Sequence, residues 1–190
     1  MSAPGKGLRR RAHVVPALAL ALACALLALL AGHRADAQAL SESQLRARFL
    51  LNFLRFTEWP APAFADASTP IQMCVLGAAD PFEGALASLH EAMAEGRRIA
   101  VRLAVAPEQV ADCHLLYVPD AELRRVVAAR ETIGQRAVLI VGESDAVLDR
   151  GGMIALRNVD RHLAFVVRLA PARHVALNFC LLYTSPSPRD

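Results

Sequence analysis

IQMCVLGAADPFEGALASLHEAMAEGRRIAVRLA, residues 71–104, decides the fold. IQMCVLG is a short run, apolar but for Gln72, of the kind that makes a strand buried on both faces. Asp80-Pro81 follows as a helix start, and FEGALASLHEAMA (82–94) reads as a helix stopped by Gly96. RRIAVRLA (97–104) reads as the second strand. The alternation continues outward. APEQVAD (106–112) suits a short helix, HLLYV (114–118) a third strand and AELRRVVAARETI (121–133) a helix ended by Gly134. AVLIVG (137–142) is a fourth strand, and SDAVLDRGG (144–152) a short helix or turn. MIALRNV (153–159) and HLAFVVRL (162–169) then form two strands joined by a tight Asp-Arg turn, with a last helix beginning at Ala170-Pro171. This order predicts an α/β domain: a mostly parallel sheet flanked by helices on both faces, with an antiparallel C-terminal hairpin at one edge.

The chain divides into three parts. Lys6 and Arg9–Arg11 precede an apolar run from Val14 to Ala31, and Ala35-Asp36-Ala37 supplies a small-x-small site. That is the layout of a secretory signal, so residues 1–37 are expected to be cleaved after Ala37. An uncleaved anchor is the competing reading, which Pro16 and the tidy cleavage site disfavour. Residues 38–179 form the α/β domain. CLLYTSPSPRD (180–190) abandons amphipathic spacing for a Ser/Pro run and reads as a disordered or foreign tail.

Removing 1–37 takes away five of the 21 basic residues and one of the 18 acids, leaving 16 against 17. The basic balance thus belongs to the signal, and nothing electrostatic points to nucleic acid. Of the four cysteines, Cys74 and Cys113 remain inside the domain, in an exported and oxidising context. They form either a bridge, with loop closure contributing roughly 4 kcal/mol, or two buried thiols.

RFLLNFLRFTEWPAPAF (48–64) opens the domain. Ser41 to Gln44 has capping-box spacing, and the helix it starts should run to about Thr57, because Pro60 pushes Trp59 out of helical geometry. On a helical wheel Leu45, Phe49, Asn52, Phe53 and Phe56 gather on one side, with Leu50, Leu51 and Leu54 roughly opposite. Two apolar faces need two partners. The aromatic side is expected to enter the domain's own core, since aromatics bury the most area. The other side then meets another element, a second copy of the chain in a homodimer, or a different protein. Leu50, Leu54, Phe56, Glu58, Trp59 and Pro60 are the candidate partner-binding residues.

No catalytic signature is present. The turn after the first strand reads GAADPFEG rather than G-x-G-x-x-G, no phosphate loop occurs, and VGESD is not a nucleophile elbow. HEAMA lacks the second histidine of a zinc helix, and His90, His114, His162 and His174 have no ligand spacing. No metal, cofactor or catalytic residue is therefore assigned. Asp80 and Glu83 lie at the C-terminal end of the first strand, where open α/β sheets place ligands. Gly151-Gly152 could cradle an anion. Those four are the candidate residues of the alternative, a periplasmic small-ligand sensory domain. The bland readings are a helix cap for Asp80 and a positive-φ turn for the glycines.

FLLNFLRFTEWP, CVLG followed by Pro-Phe, DCHLLYV, RGGMI and Phe165 in the last strand together resemble the YfiR-like family of periplasmic regulators, over about residues 42–179. The family's helix-ending E-W-P motif is matched by Glu58, Trp59 and Pro60. The resemblance implies a disulfide between Cys74 and Cys113, and a non-enzymatic function. YfiR-like proteins bind the periplasmic portion of a membrane-bound diguanylate cyclase and hold it inactive; envelope redox or stress signals release it, cyclic-di-GMP rises and biofilm forms. A second cysteine pair known in some members is missing around Gly151-Gly152. The chain departs from the pattern in two places: FVVRL stands where the family tends to have an acid and an Asn after the Phe, and the closing amphipathic helix gives way to the tail after Phe179.

Overall fold

The computed structural model describes residues 40–77, 79–160 and 162–180. The expected signal segment and the tail beyond Cys180 lie outside the described residues.

The first helix, α1 (Glu42–Arg55), begins as its sequence predicts. Gln44 N–H donates to Ser41 Oγ at 3.2 Å and Ser41 N–H to Gln44 Oε1 at 3.1 Å, closing a reciprocal capping box. The chain then forms β1 (Thr57–Glu58), β2 (Ile71–Leu76), β3 (Met93–Ala94), β4 (Arg97–Val105), β5 (Leu115–Val118), α2 (Val126–Ile133), β6 (Leu139–Gly142), α3 (Ala146–Asp149), β7 (Ile154–Val159), β8 (His162–Val167), α4 (Leu169–His174) and β9 (Asn178–Phe179). Seven strands make one sheet in the order β3-β4-β2-β5-β6-β7-β8. From β4 to β7 every pairing is parallel. The mostly parallel α/β expectation holds. The last two strands pair antiparallel and leave β8 at the margin.

Strand alternation separates the core into two layers. Ile71, Met73, Val75, Leu115, Tyr117, Leu139, Val141, Ile154 and Leu156 join one cluster, together with Ala47, Leu50, Phe53 and Leu54 of α1. Cys74, Leu76, Leu116, Val118, Ile140 and Ala155 join the other, with Val126, Ala129 and Ile133 of α2 and Val147 and Leu148 of α3.

Three local expectations need correcting. Residues 82–94 do not form a helix. Gly84 takes φ +84° and Glu91 φ +68°, so only a 3-10 turn survives at Ala85–Leu89, with Leu86 and Leu89 still buried. Met93–Ala94 instead becomes a strand antiparallel to β4, turned by Glu95 (φ +49°) and Gly96 (φ +72°), a pair suited to a two-residue hairpin loop. Gly96 is therefore a hairpin residue rather than a helix stop. The helix expected over 121–133 is 3-10 through Arg125 and α-helical only from Val126.

The third correction concerns α1. Leu50 and Leu54 are fully buried in the domain's own core, and Phe53 is 5 % exposed beside them. Phe49 and Phe53 reach toward the sheet margin, where Phe165 of β8 meets Phe49 at 5.9 Å and Phe53 at 5.3 Å between ring centres, both edge-on. The aromatic side enters the core in part: Phe53 is buried in it and Phe49 packs against it, while Phe56 stays exposed. Compact leucines fit over the middle of the sheet, while the longer rings reach its rim.

Candidate functional site

The segment after α1 is built as a rigid corner. The helix ends when Phe56 N–H donates to Asn52 O, and Thr57–Glu58 then pairs with Asn178–Phe179. Cys180 N–H donates to Phe56 O at 2.8 Å, and the Cys180 thiol donates to Glu58 Oε1 at 2.9 Å. That carboxylate, with Glu95 further off, holds the Cys180 thiol above its usual pKa. Pro60 then starts a 3-10 turn over Ala61–Ala63.

His114 holds this corner to the sheet. Its backbone N–H donates to Gln72 O, and its own carbonyl accepts from Leu139 N–H and, at 3.3 Å, from Trp59 Nε1. Its ring takes the Gln72 N–H on Nδ1 at 3.0 Å and reaches Ala63 O with Nε2 at 3.0 Å. A backbone N–H can only donate, so Nδ1 is bare and Nε2 carries the hydrogen. Phe64 stacks on the ring at 4.5 Å, and Trp59 meets it edge-on at 6.2 Å. Arg97 covers the Phe64 ring at 3.8 Å and donates to the carbonyls of Asp66, Ala67 and Thr69. His114 is 6 % exposed, and burial first, then the Arg97 charge, lowers its pKa below 6.5, against the bond to Ala63 and the Asp112 carboxylate.

Cys113, next in the chain, is bonded to Cys74 of β2, with the two Cα atoms 5.9 Å apart. Both cysteines are buried. The bridge ties the segment preceding β5 to the strand beside it, one residue from the histidine that holds the corner.

The six candidate partner residues separate. Phe56 is 46 % exposed, Glu58 is exposed, and Trp59 and Pro60 are half-buried, together on the corner. Leu50 and Leu54 are interior and leave the candidate surface. Spacing alone does not distinguish the histidine that braces the corner from the other histidines; its place directly after Cys113 and before an apolar strand is the available signal.

The four candidate ligand residues are not brought together. The Asp80 carboxylate accepts from Phe82 N–H and Gly84 N–H, closing a turn rather than capping a helix, and that turn seats Phe82 in the α1-side core. Glu83 accepts from Ser43 of α1. Gly151 and Gly152 pack instead against Arg130 and Val147, on the opposite layer of the sheet. An open cleft of about 1090 Å3 lies elsewhere, lined by Pro60, Pro62, Ala63, Cys113, His114 and the 131–138 turn among others, and none of those four lines it.

At the other end of the parallel strands, buried Tyr117 donates to Glu143 Oε1 at 3.0 Å, and Arg46 of α1 reaches the same oxygen at 3.4 Å. Burial, with the Glu143 carboxylate alongside, pushes the Tyr117 phenol far above its usual range. Each of the three side chains bonds another, with only Arg46 Nε buried and unpartnered among them, so the cluster pins α1 to β5 and to the turn after β6. Among the described residues no group of three or more His, Cys, Asp or Glu side chains is placed to hold a metal ion.

A YfiR/HmsC-like family model matches residues 43–180. The chain belongs to that family. Its members are regulatory rather than catalytic proteins that act through a partner protein in signalling. No curated protein matches the chain. The YfiR/HmsC-like assignment spans all the described elements from α1 to β9, the corner and its disulfide included. No helix among the described residues is long and apolar enough to cross a membrane.

Proposed function

We propose that this protein is a periplasmic negative regulator that binds the periplasmic portion of an inner-membrane diguanylate cyclase and represses cyclic-di-GMP synthesis. The observation that carries the reading is the YfiR/HmsC-like match over residues 43–180, joined to a corner whose exposed Phe56 and Glu58 stand on a braced frame. Repression requires the regulator to hold the cyclase's inactive state more tightly than its active one. A buried disulfide suits an oxidising compartment, and export through a cleaved signal in 1–37 accounts for it.

The test is co-purification of the exported protein with the periplasmic segment of a membrane-bound diguanylate cyclase from the same genome. Phe56→Ala is expected to weaken retention by roughly 10-fold or more, as loss of an aromatic anchor does, with little change in melting temperature because the ring is half in solvent. Retention unchanged in Phe56→Ala and in Glu58→Ala removes the corner from the interface. No retention of the wild type by the segment removes the function itself.

A second copy of the chain is the other proposed partner, and the open edge of β8 supports it. Arg168 N–H donates to Met153 O at 2.8 Å, which sets the phase of the β7–β8 ladder. His162, Ala164 and Val166 then bond inward to β7, and Leu163, Phe165 and Val167 direct their backbone N–H and C=O groups outward. An identical antiparallel strand centred on Phe165 would pair all of these. Phe165, 39 % exposed, would meet its own copy there. Sedimentation should show a dimer that Phe165→Lys shifts to monomer; a monomeric wild type at high concentration overturns it.

A further inference from the structure

We propose that His114 is a latch for the 59–64 corner, opened when its ring takes up a second proton. The latch stands on the geometry of the ring, and its regulatory consequence rests on the docking role proposed above.

The neutral ring fills a slot with no room for another hydrogen. Nδ1 already faces the Gln72 N–H at 3.0 Å, so a proton from solvent placed there sets two hydrogens against each other and cancels the bond to β2. Nε2–H keeps its hold on Ala63 O in either state, so the bond that breaks is the one anchoring the ring to the sheet. The imidazolium leaves the slot toward the cleft that the ring lines. Phe64 then loses its stacking partner and Trp59 its edge contact, and these two residues bracket the corner.

The charged surroundings set the direction. Arg97 of β4, on the far side of Phe64, opposes the added proton, and Asp112 favours it. Glu131 and Arg136 around the end of α2 and His174 of α4 line the same cleft, while Asp66 beyond Phe64 is kept ionised by Ser68 and Thr69. Burial and Arg97 outweigh the pull of Ala63 O and Asp112, and the folded ring binds its proton more weakly than the unfolded one. The unfolded state therefore holds more protons just below 6.5, and stability present above that value is lost as pH falls toward the folded pKa.

Trp59 is the chain's single tryptophan, so its fluorescence reads the corner alone. In the full exported protein, lowering pH from 8 to 4 should shift Trp59 emission to the red in a one-proton step centred below 6.5, with far-UV circular dichroism unchanged. His114→Gln should abolish the step. Asp112→Asn should move it to lower pH, since the carboxylate that favours the proton is gone; this arm needs no substitution at the latch itself. A step that survives His114→Gln, an unmoved midpoint in Asp112→Asn, or loss of circular dichroism in the same step overturns the latch. Retention of the cyclase segment at pH 5 against pH 7.5 forms the separate arm. Retention that falls in the wild type and not in His114→Gln supports the regulatory consequence, and retention that stays level overturns it. A segment that binds at neither pH refutes the docking reading and leaves the fluorescence result standing.

Discussion

Removing the Cys74–Cys113 bridge, by reduction or as the Cys74→Ala, Cys113→Ala double variant, lowers the unfolding free energy by about 4 kcal/mol. The cysteines are 39 residues apart, and freeing a loop of that length in the unfolded chain returns entropy of this size. For a domain of this length the melting temperature should fall by roughly 10–20 °C. The loss should not be uniform. The bridge anchors the segment that presents His114, so Trp59 fluorescence is expected to change at lower reductant or temperature than the far-UV signal. Relief of repression in cells should follow. Matching melting curves with and without reductant, together with full repression by the double variant, would set the bridge aside as a mechanism.

Leu54→Ala is expected to cost about 2–5 kcal/mol, the range for opening a cavity beneath a fully buried leucine, and Leu50→Ala a similar amount. Both leucines seal α1 against the parallel strands, and a void there has little freedom to collapse because the Tyr117–Glu143–Arg46 contacts pin the helix nearby. Phe56→Ala, two residues beyond Leu54, should cost little stability. Urea denaturation of the two variants side by side separates the roles. A Leu54→Ala protein as stable as wild type, with partner retention lost, would return that leucine to the docking surface.

Much of the fold was legible because strands buried on both faces leave an unmistakable trace. Runs such as LLYV and LIVG are apolar throughout and IQMCVL at every position but Gln72, and each found its place in the parallel sheet. The capping box at Ser41 and the stop at Gly134 were equally plain, since both act within one turn of backbone. Residues 82–94 misled for a related reason. Phe82, Leu86 and Leu89 have helical spacing, yet a 3-10 turn with a positive-φ glycine buries the same three side chains. Apolar spacing reports which residues face inward and says less about how tightly the backbone between them winds.

The candidate site divides along the same line. Phe56, Glu58, Trp59 and Pro60 stand together on one corner because they are contiguous. Asp80 with Glu83, and Gly151 with Gly152, lie on different layers because strand order, invisible in any local window, carries the two turns to opposite sides of the sheet. The role of His114 is not legible locally, because it comes from Ala63, Phe64 and Gln72, residues 42 to 51 positions away.

By itself the sequence determined an α/β domain with a mostly parallel sheet, the cap of its first helix and its membership in a regulatory family, all written in local spacing and ordered motifs. Only the tertiary structure decided which side of α1 is interior, and which histidine carries the corner. Both depend on what stands opposite a side chain, and the opposing surface is assembled by strands far away along the chain.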